Sequence, residues 1–283
     1  MYLILYNPIS RNGANTNIVE KVVKKMKKKH ESVRVKSLLE IEDKKEFLSN
    51  LDPETKIIIV GGDGTLNRVA NEIRGIENLP EIYLYKAGTG NDFLRSLKNK
   101  KKLTRIDQYL INLPNVTFKN EDIVFLNGIG LGFDALVCHT VEESKKKKNK
   151  LNFFSSVFKS LKNFQPFDFE VEIDGKRQRF EDAWFVSIMN SKYFGGGMKI
   201  APKADRESDT LEVVVIHGIS KFKLSLFFPL IYLGWHTGIK NVKVFTGKNI
   251  KVFSDLPAYV QIDGDVYDNV LELEARRWLR VLS

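Results

Sequence analysis

The sequence predicts two architectures in one chain, an α/β first part on a parallel sheet and a mainly antiparallel β second part. Three observations carry that expectation. The first hundred residues repeat the order strand, polar or glycine-rich loop, helix. Beyond about residue 120, short strand-like segments separated by turn residues take over. The length, 283 residues, favours two cores over one, with expected domains at 1–120 and 121–274.

Tyr2 to Tyr6 reads as the first strand and Asn7-Pro8-Ile9-Ser10-Arg11-Asn12-Gly13 as its loop. Ile18, Val19, Val22, Val23 and Met26 then mark one face of a helix. Ile57 to Val60 is an unbroken β-branched run, the pattern of a strand covered on both faces. It runs into Gly61-Gly62-Asp63-Gly64-Thr65, after which Leu66, Val69, Ala70 and Ile73 resume at helical spacing. Ile82 to Tyr85 precedes Lys86-Ala87-Gly88-Thr89-Gly90-Asn91-Asp92, and Phe93, Leu94 and Leu97 begin a short helix. Strands joined through helices run parallel, so these three loops are expected to converge on one crevice.

The segment Gly61 to Thr65 has the composition of a phosphate-binding turn. Its glycines admit close approach of a ligand to the backbone, and the helix that follows aims its first N–H groups at the loop. Asp63 does not suit a bare phosphate cradle, because a carboxylate beside a phosphate is repelled unless a cation bridges them, and Mg²⁺ is the natural bridge. The alternative is a plain strand-to-helix turn with Asp63 as its N-cap.

In the second part, Phe167 to Ile173 alternates apolar and acidic residues, Asp174-Gly175 supplies a hairpin turn, and Arg177 to Phe180 begins the return. Ala183 to Met189, Leu211 to Ile216, Val242 to Phe245, Ile250 to Phe253 and Ala258 to Ile262 extend the series. Leu224 to Ile239 carries no Asp, Glu, Lys or Arg. Its 16 residues fall short of the roughly 20 a bilayer span requires, so it is expected to line an apolar cleft or pack as a helix.

A net charge of +10, with lysine clusters at Lys24 to Lys29, Lys98 to Lys102 and Lys145 to Lys150, suits an anionic partner. The first cluster reads as a solvated helix face. The third leads into Leu151, Phe153, Phe154, Val157, Phe158 and Leu161. Two readings of it stand level, an interfacial helix on an anionic bilayer and a buried helix with a lysine-rich lead-in. Nucleic-acid binding is set aside, because no recognisable motif interleaves basic and aromatic residues. The single cysteine, Cys138, excludes an intramolecular disulfide, and the four histidines show no metal-ligand spacing. The chain opens on a strand rather than a basic leader, so a cytoplasmic location is expected.

Five ordered motifs now stand together: Asn7-Pro8-x-Ser10, Gly61 to Thr65, Gly88-Thr89-Gly90-Asn91-Asp92, Gly195-Gly196-Gly197-Met198 with Ala201-Pro202-x-Ala204, and Asp263-Gly264-Asp265. In these the chain resembles the diacylglycerol kinase catalytic domain family of bacterial lipid kinases, relatives of sphingosine kinases with an NAD kinase-like fold. The resemblance implies a Rossmann-like nucleotide domain, a C-terminal β-sandwich, and a tail over 275–283 that returns to the first domain. It also implies ATP and Mg²⁺ as cofactors. Gly61, Gly62, Asp63, Gly64, Thr65 and Asn67 would cradle the phosphates, with Asn7 and Thr89 at the edges and Asp63 working with the metal. Asp265 would take the proton of a lipid hydroxyl, such as that of diacylglycerol. The expected partner is a lipid substrate at an anionic membrane surface, on the inner face of the membrane, with a second copy of the chain as a further candidate.

Two departures from the family pattern bear on this. Asp265 stands where a longer Glu is usual, so its reach to the acceptor hydroxyl is the first test of the base. Ser208 replaces an aspartate that helps hold a structural Mg²⁺, leaving Asp205 or Asp209 to substitute, or no metal at all. A kinase of a soluble acceptor such as NAD, and a lipid-binding protein without catalysis, are the competing readings.

Overall fold

The computed structural model describes residues 1–9, 15–76, 79–87, 90–97, 101–144 and 150–277, with the side chains of 150–154 outside the description. The chain divides into two compact units, Met1–Ile111 and Asn112–Ser283.

The first unit contains strands β1 (Tyr2–Tyr6), β2 (Val33–Ser37), β3 (Lys56–Gly61), β4 (Ile82–Lys86) and β5 (Leu103–Arg105). Its helices are α1 (Asn15–Lys27), α2 (Lys44–Ser49), α3 (Asp63–Glu72) and α4 (Asp92–Ser96). The sheet order is β2-β1-β3-β4-β5, parallel except for β5, which runs antiparallel to β4 at the edge. Ile57, Ile58, Ile59 and Val60 are at most 1% exposed, as their β-branched run predicts. Full burial of each contributes roughly 1.5–3 kcal/mol. Val19, Val22 and Met26 of α1 and Leu66, Val69 and Ala70 of α3 are buried as well. The chain leaves β1 toward β2 on one side and later continues from β3 to β4 on the other. The sheet therefore has a topological switch point between β1 and β3, where open α/β sheets form their ligand crevice.

The second unit contains β6 (Asn115–Phe118), β7 (Glu121–Val124), β8 (Gly128–Gly132), α5 (Phe133–Glu143), α6 (Lys150–Asn163), β9 (Phe167–Ile173) and β10 (Lys176–Met189). It continues with β11 (Leu211–His217), α7 (Lys221–Leu233), β12 (Val242–Gly247), β13 (Asn249–Ile262) and β14 (Asp265–Arg276). All its pairings are antiparallel. The two longest strands change partner along their length. β10 and β13 each pair with β9 over their first half and with β8 near their end. The register shifts between Phe180 and Ala183 and between Phe253 and Ala258, and such bulges bend a strand from one neighbour to the next. Sequence patterning alone reads each of these strands as two.

β6 pairs with β14, so Asn115–Phe118 belongs with the second unit, which begins at Asn112. Of the expected returning tail, Ala275 and Arg276 end β14 in the second unit, and 278–283 lie outside the described residues. Leu224 to Ile239 forms most of α7 and the short turn after it, and among the described residues no helix is long and apolar enough to cross a membrane.

Candidate functional site

In the first unit the carboxyl ends of β1, β3 and β4 bring the predicted loops side by side, with Tyr6 in register with Val60 and Gly61 with Lys86. Gly61 is required by packing: a Cβ there would lie 2.5 Å from the Cβ of Thr65. Gly62 is the N-cap of α3 and makes no side-chain cap bond, and the Leu66 N–H closes the first turn on the Gly62 carbonyl at 3.1 Å. The N–H groups of residues 63–65 precede that bond, the arrangement that favours an anion at a helix start. A Cβ on Gly64 would meet nothing within 4 Å, so space is open beside it.

Asp63 is the first residue of α3, and its carboxylate reaches into the neighbouring loop. It accepts the N–H groups of Asp92 at 2.9 Å and Phe93 at 3.1 Å, and so caps α4 from another loop. The N-cap position of α4 is Asn91, left-handed at φ 51° and without a side-chain cap bond, and Asp63 fills that role from a distance. This contact fastens the β3 and β4 loops together. Asn7 follows β1, accepts the Ile9 N–H on its side-chain oxygen at 3.1 Å, and receives Asn15 Nδ2 on its carbonyl at 3.0 Å. Thr65 and Asn67 are buried, Asn67 accepting from Asn71. Gly88, Thr89 and the Ser10 loop lie outside the described residues.

In the second unit, Asp263 and Gly264 form the two-residue turn between β13 and β14, both at positive φ (49° and 98°), the geometry of a type I′ hairpin. The Asp263 carboxylate accepts three backbone N–H groups from the strand-entry segment before β8: Leu126, Asn127 at 2.8 Å and Gly128 at 3.1 Å. The same segment is gripped from its other side. Arg206 donates to the Leu126 carbonyl and the Asn127 side chain, and Asn190 also donates to the Leu126 carbonyl. Asp263 is thus held by structure, and Asp265, the next carboxylate along and the first residue of β14, is half-exposed.

Sequence reasoning missed Asp134. It sits in the first turn of α5, buried on the wall of an apolar cavity lined by Phe133, Val137, Val157, Phe185, Met198 and Ile231. Burial pushes its carboxyl up to about 7. Gln261 Nε2 lies 3.5 Å from Asp134 Oδ2, while Gln261 Oε1 accepts the Gly264 N–H at 2.9 Å. A polar link therefore runs from the cavity wall to the turn that presents Asp265. The pointer in the sequence was a lone acid in the apolar stretch Ile129 to Cys138.

The residues proposed for a structural Mg²⁺ do not fit one. Asp209 pairs with Lys248 at 2.5 Å, and the lysine holds its carboxyl below the usual range. Asp205 accepts the Glu207 N–H within its own loop. Among the described residues no three His, Cys, Asp or Glu side chains gather as metal ligands. A cation of another kind holds this loop, because buried Arg277 donates to the carbonyls of Asn112, Arg206 and Ser208, the last at 2.9 Å.

Two family models match the chain: the diacylglycerol kinase catalytic domain over residues 1–117, and the YegS C-terminal NAD kinase beta sandwich-like domain over 127–274. "Putative lipid kinase YtlR" of Bacillus subtilis is 28% identical over 229 residues, covering 75% of this chain and 74% of that protein. A "Diacylglycerol kinase" of Mycobacterium tuberculosis (strain H37Rv) is 24% identical over 275 residues, covering 92% and 87%. The crystal structure of "a putative diacylglycerol kinase" from Bacillus anthracis shares the fold with a TM-score of 0.72 at 22% identity, covering 98% of this chain and 92% of that one. The chain belongs to the diacylglycerol kinase family of lipid kinases.

Proposed function

We propose that the protein transfers the γ-phosphoryl group of MgATP to the hydroxyl of a membrane lipid, with diacylglycerol as acceptor and phosphatidic acid as product. The observation that carries the lipid reading is the link inside the second unit. One hairpin bears Asp265 and is tied through Gln261 to Asp134 on the wall of an apolar cavity. An acyl chain needs such a wall, and a hydroxyl acceptor needs a carboxylate near it.

In the first unit the Gly61 to Thr65 turn and the start of α3 suit ATP phosphates. Asp63 stands at the start of α3 beside that turn, and its carboxylate would face the metal of MgATP. The metal, when bound with ATP, would neutralise charge on the transferring group. Asp265 accepts the proton of the lipid hydroxyl as its oxygen forms the bond to the γ-phosphorus, and the bond to the ADP oxygen breaks. Backbone donors of the turn hold the phosphates in line, which is most of what phosphoryl transfer requires.

The test is transfer of labelled γ-phosphate from MgATP to diacylglycerol in mixed micelles, alongside NAD as a soluble acceptor. Labelled phosphatidic acid is the expected product. Labelled NADP without lipid product would replace this reading with a soluble-acceptor kinase.

A further inference from the structure

Helix α7 is apolar on two sides, and only one of them is covered. Leu224 and Ile231 are buried and, with Phe228, line the cavity of the second unit. On the opposite side Phe222 (72% exposed), Leu226 (59%), Pro229 and Leu233 (51%) recur at spacings of four, three and four residues, forming one stripe open to solvent. Trp235, 69% exposed, extends the stripe past the helix end. A helix apolar on all sides belongs in a core or against a second apolar phase.

The charges around the stripe say which phase. Residues 213–240, which include α7, contain Lys221, Lys223 and Lys240 and no Asp or Glu, in a chain with 35 acidic residues, and 145–166 also lack any acid. The two segments meet in space: Lys221 Nζ donates to the Lys162 carbonyl at 3.1 Å, joining the start of α7 to the end of α6. α6 adds exposed Phe158 (61%), with Lys159 and Lys162 exposed beside it. Lysines flanking exposed aromatics, with a tryptophan at the margin, match an anionic bilayer surface: apolar side chains enter the acyl boundary and ammonium groups meet phosphate.

We propose that the outer face of α7, extended by Trp235 and bordered by Phe158 of α6, is the surface by which the protein docks on an anionic bilayer. The inner face of the same helix lines the apolar cavity, so docking sets that cavity beside the lipid phase. This rests on the lipid-kinase reading, and its test separates the two.

Binding of the full chain to phosphatidylcholine vesicles containing about 30 mol% phosphatidylglycerol is measured without ATP, by sedimentation and by tryptophan fluorescence. Of the three tryptophans, Trp184 is buried and Trp278 lies outside the described residues, so the part of a blue shift on vesicle addition that is lost in Trp235→Phe reports insertion of Trp235. Phe222→Ser and Leu226→Ser are each expected to weaken binding about tenfold or more, and Lys159→Gln and Lys223→Gln about fivefold each in low salt. None of these side chains lines the cavity, so transfer to dioctanoylglycerol dispersed without a bilayer is expected to stay at the wild-type rate.

Unchanged vesicle binding in the Phe222→Ser, Leu226→Ser double variant overturns the proposal. So does a concentration-dependent dimer that disappears in that variant, which would assign the face to a second copy of the chain. Transfer to dioctanoylglycerol by a wild type that ignores vesicles overturns the docking face and leaves the kinase. Vesicle binding lost in the double variant supports docking even if no lipid is phosphorylated, and that second result alone would count against the kinase.

Discussion

Each unit carries an Asp-Gly pair in a glycine-rich turn, and in both the aspartate is engaged by backbone N–H groups. The settings differ. Asp63 lies at the end of a parallel strand and caps a helix that begins in the neighbouring loop, in a crevice of helix starts and open space. Asp263 lies in a tight antiparallel hairpin and fastens it to the entry of β8, deep in a network with Arg206 and Asn190. A motif aspartate can hold architecture as well as perform chemistry. In the proposed reaction one carboxylate of the first unit would do both, whereas in the second unit the duties would be divided, with Asp263 holding the turn and Asp265 acting on the acceptor.

Asp263→Ala is expected to have the largest effect on stability. It removes the acceptor of three charge-assisted bonds and leaves part-buried donors unpaired, so a loss of about 5 kcal/mol is expected in urea unfolding of the second unit. Asp263→Asn, which retains an accepting oxygen, is expected to recover part of that.

Asp134 sharpens the contrast within one unit, because it is buried without a set of donors like that of Asp263. Its folded-state pKa, raised to about 7 from 3.8, means the folded protein holds a proton that the unfolded chain has lost. The contribution to stability is fully present below about pH 4 and is lost as pH rises through 7. A tenfold change in proton affinity is worth about 1.36 kcal/mol, so the gain in stability of Asp134→Asn over wild type is expected to grow by roughly 4 kcal/mol between about pH 4 and pH 8. A gain independent of pH would show that Asp134 is ionised in the folded state.

The two duties proposed for Asp63 are separable. Asp63→Ala is expected to cost about 1–2 kcal/mol, the value of a helix cap, in addition to activity. Asp63→Asn keeps an oxygen for only one of the two α4 N–H groups, which bond to different carboxylate oxygens, and loses the charge. Its loss of stability should be smaller than that of Asp63→Ala, while phosphate transfer falls at least a hundredfold. The smallest effect concerns the 205–210 loop, held by Arg277 and by the Lys248–Asp209 pair. A chelator is expected to leave the melting temperature of the nucleotide-free protein unchanged.

Much of the fold was legible because its signals are local. The β-branched run Ile57 to Val60 with its glycines fixed β3 and the start of α3, and Asp174-Gly175, at φ 49° and 83°, fixed the β9–β10 hairpin. The bulges that keep β10 and β13 whole were not legible, because a change of pairing partner leaves no period in the sequence. Candidate residues were found where they share a short motif. The Asp263 grip on Leu126 to Gly128, 135 or more residues away, and the Asp63 cap on α4 exist only once the chain has folded. Short edge strands such as β2 and β5 lack a continuous apolar face and carried no signal strong enough to read.

One variant shows directly whether holding and chemistry are divided between Asp263 and Asp265. Asp265→Ala should cost far less stability in urea than Asp263→Ala does, while transfer of labelled phosphate from MgATP to diacylglycerol falls by about 10²–10⁴, the usual contribution of a general base. Wild-type transfer by Asp265→Ala, with the fold intact, would contradict the account.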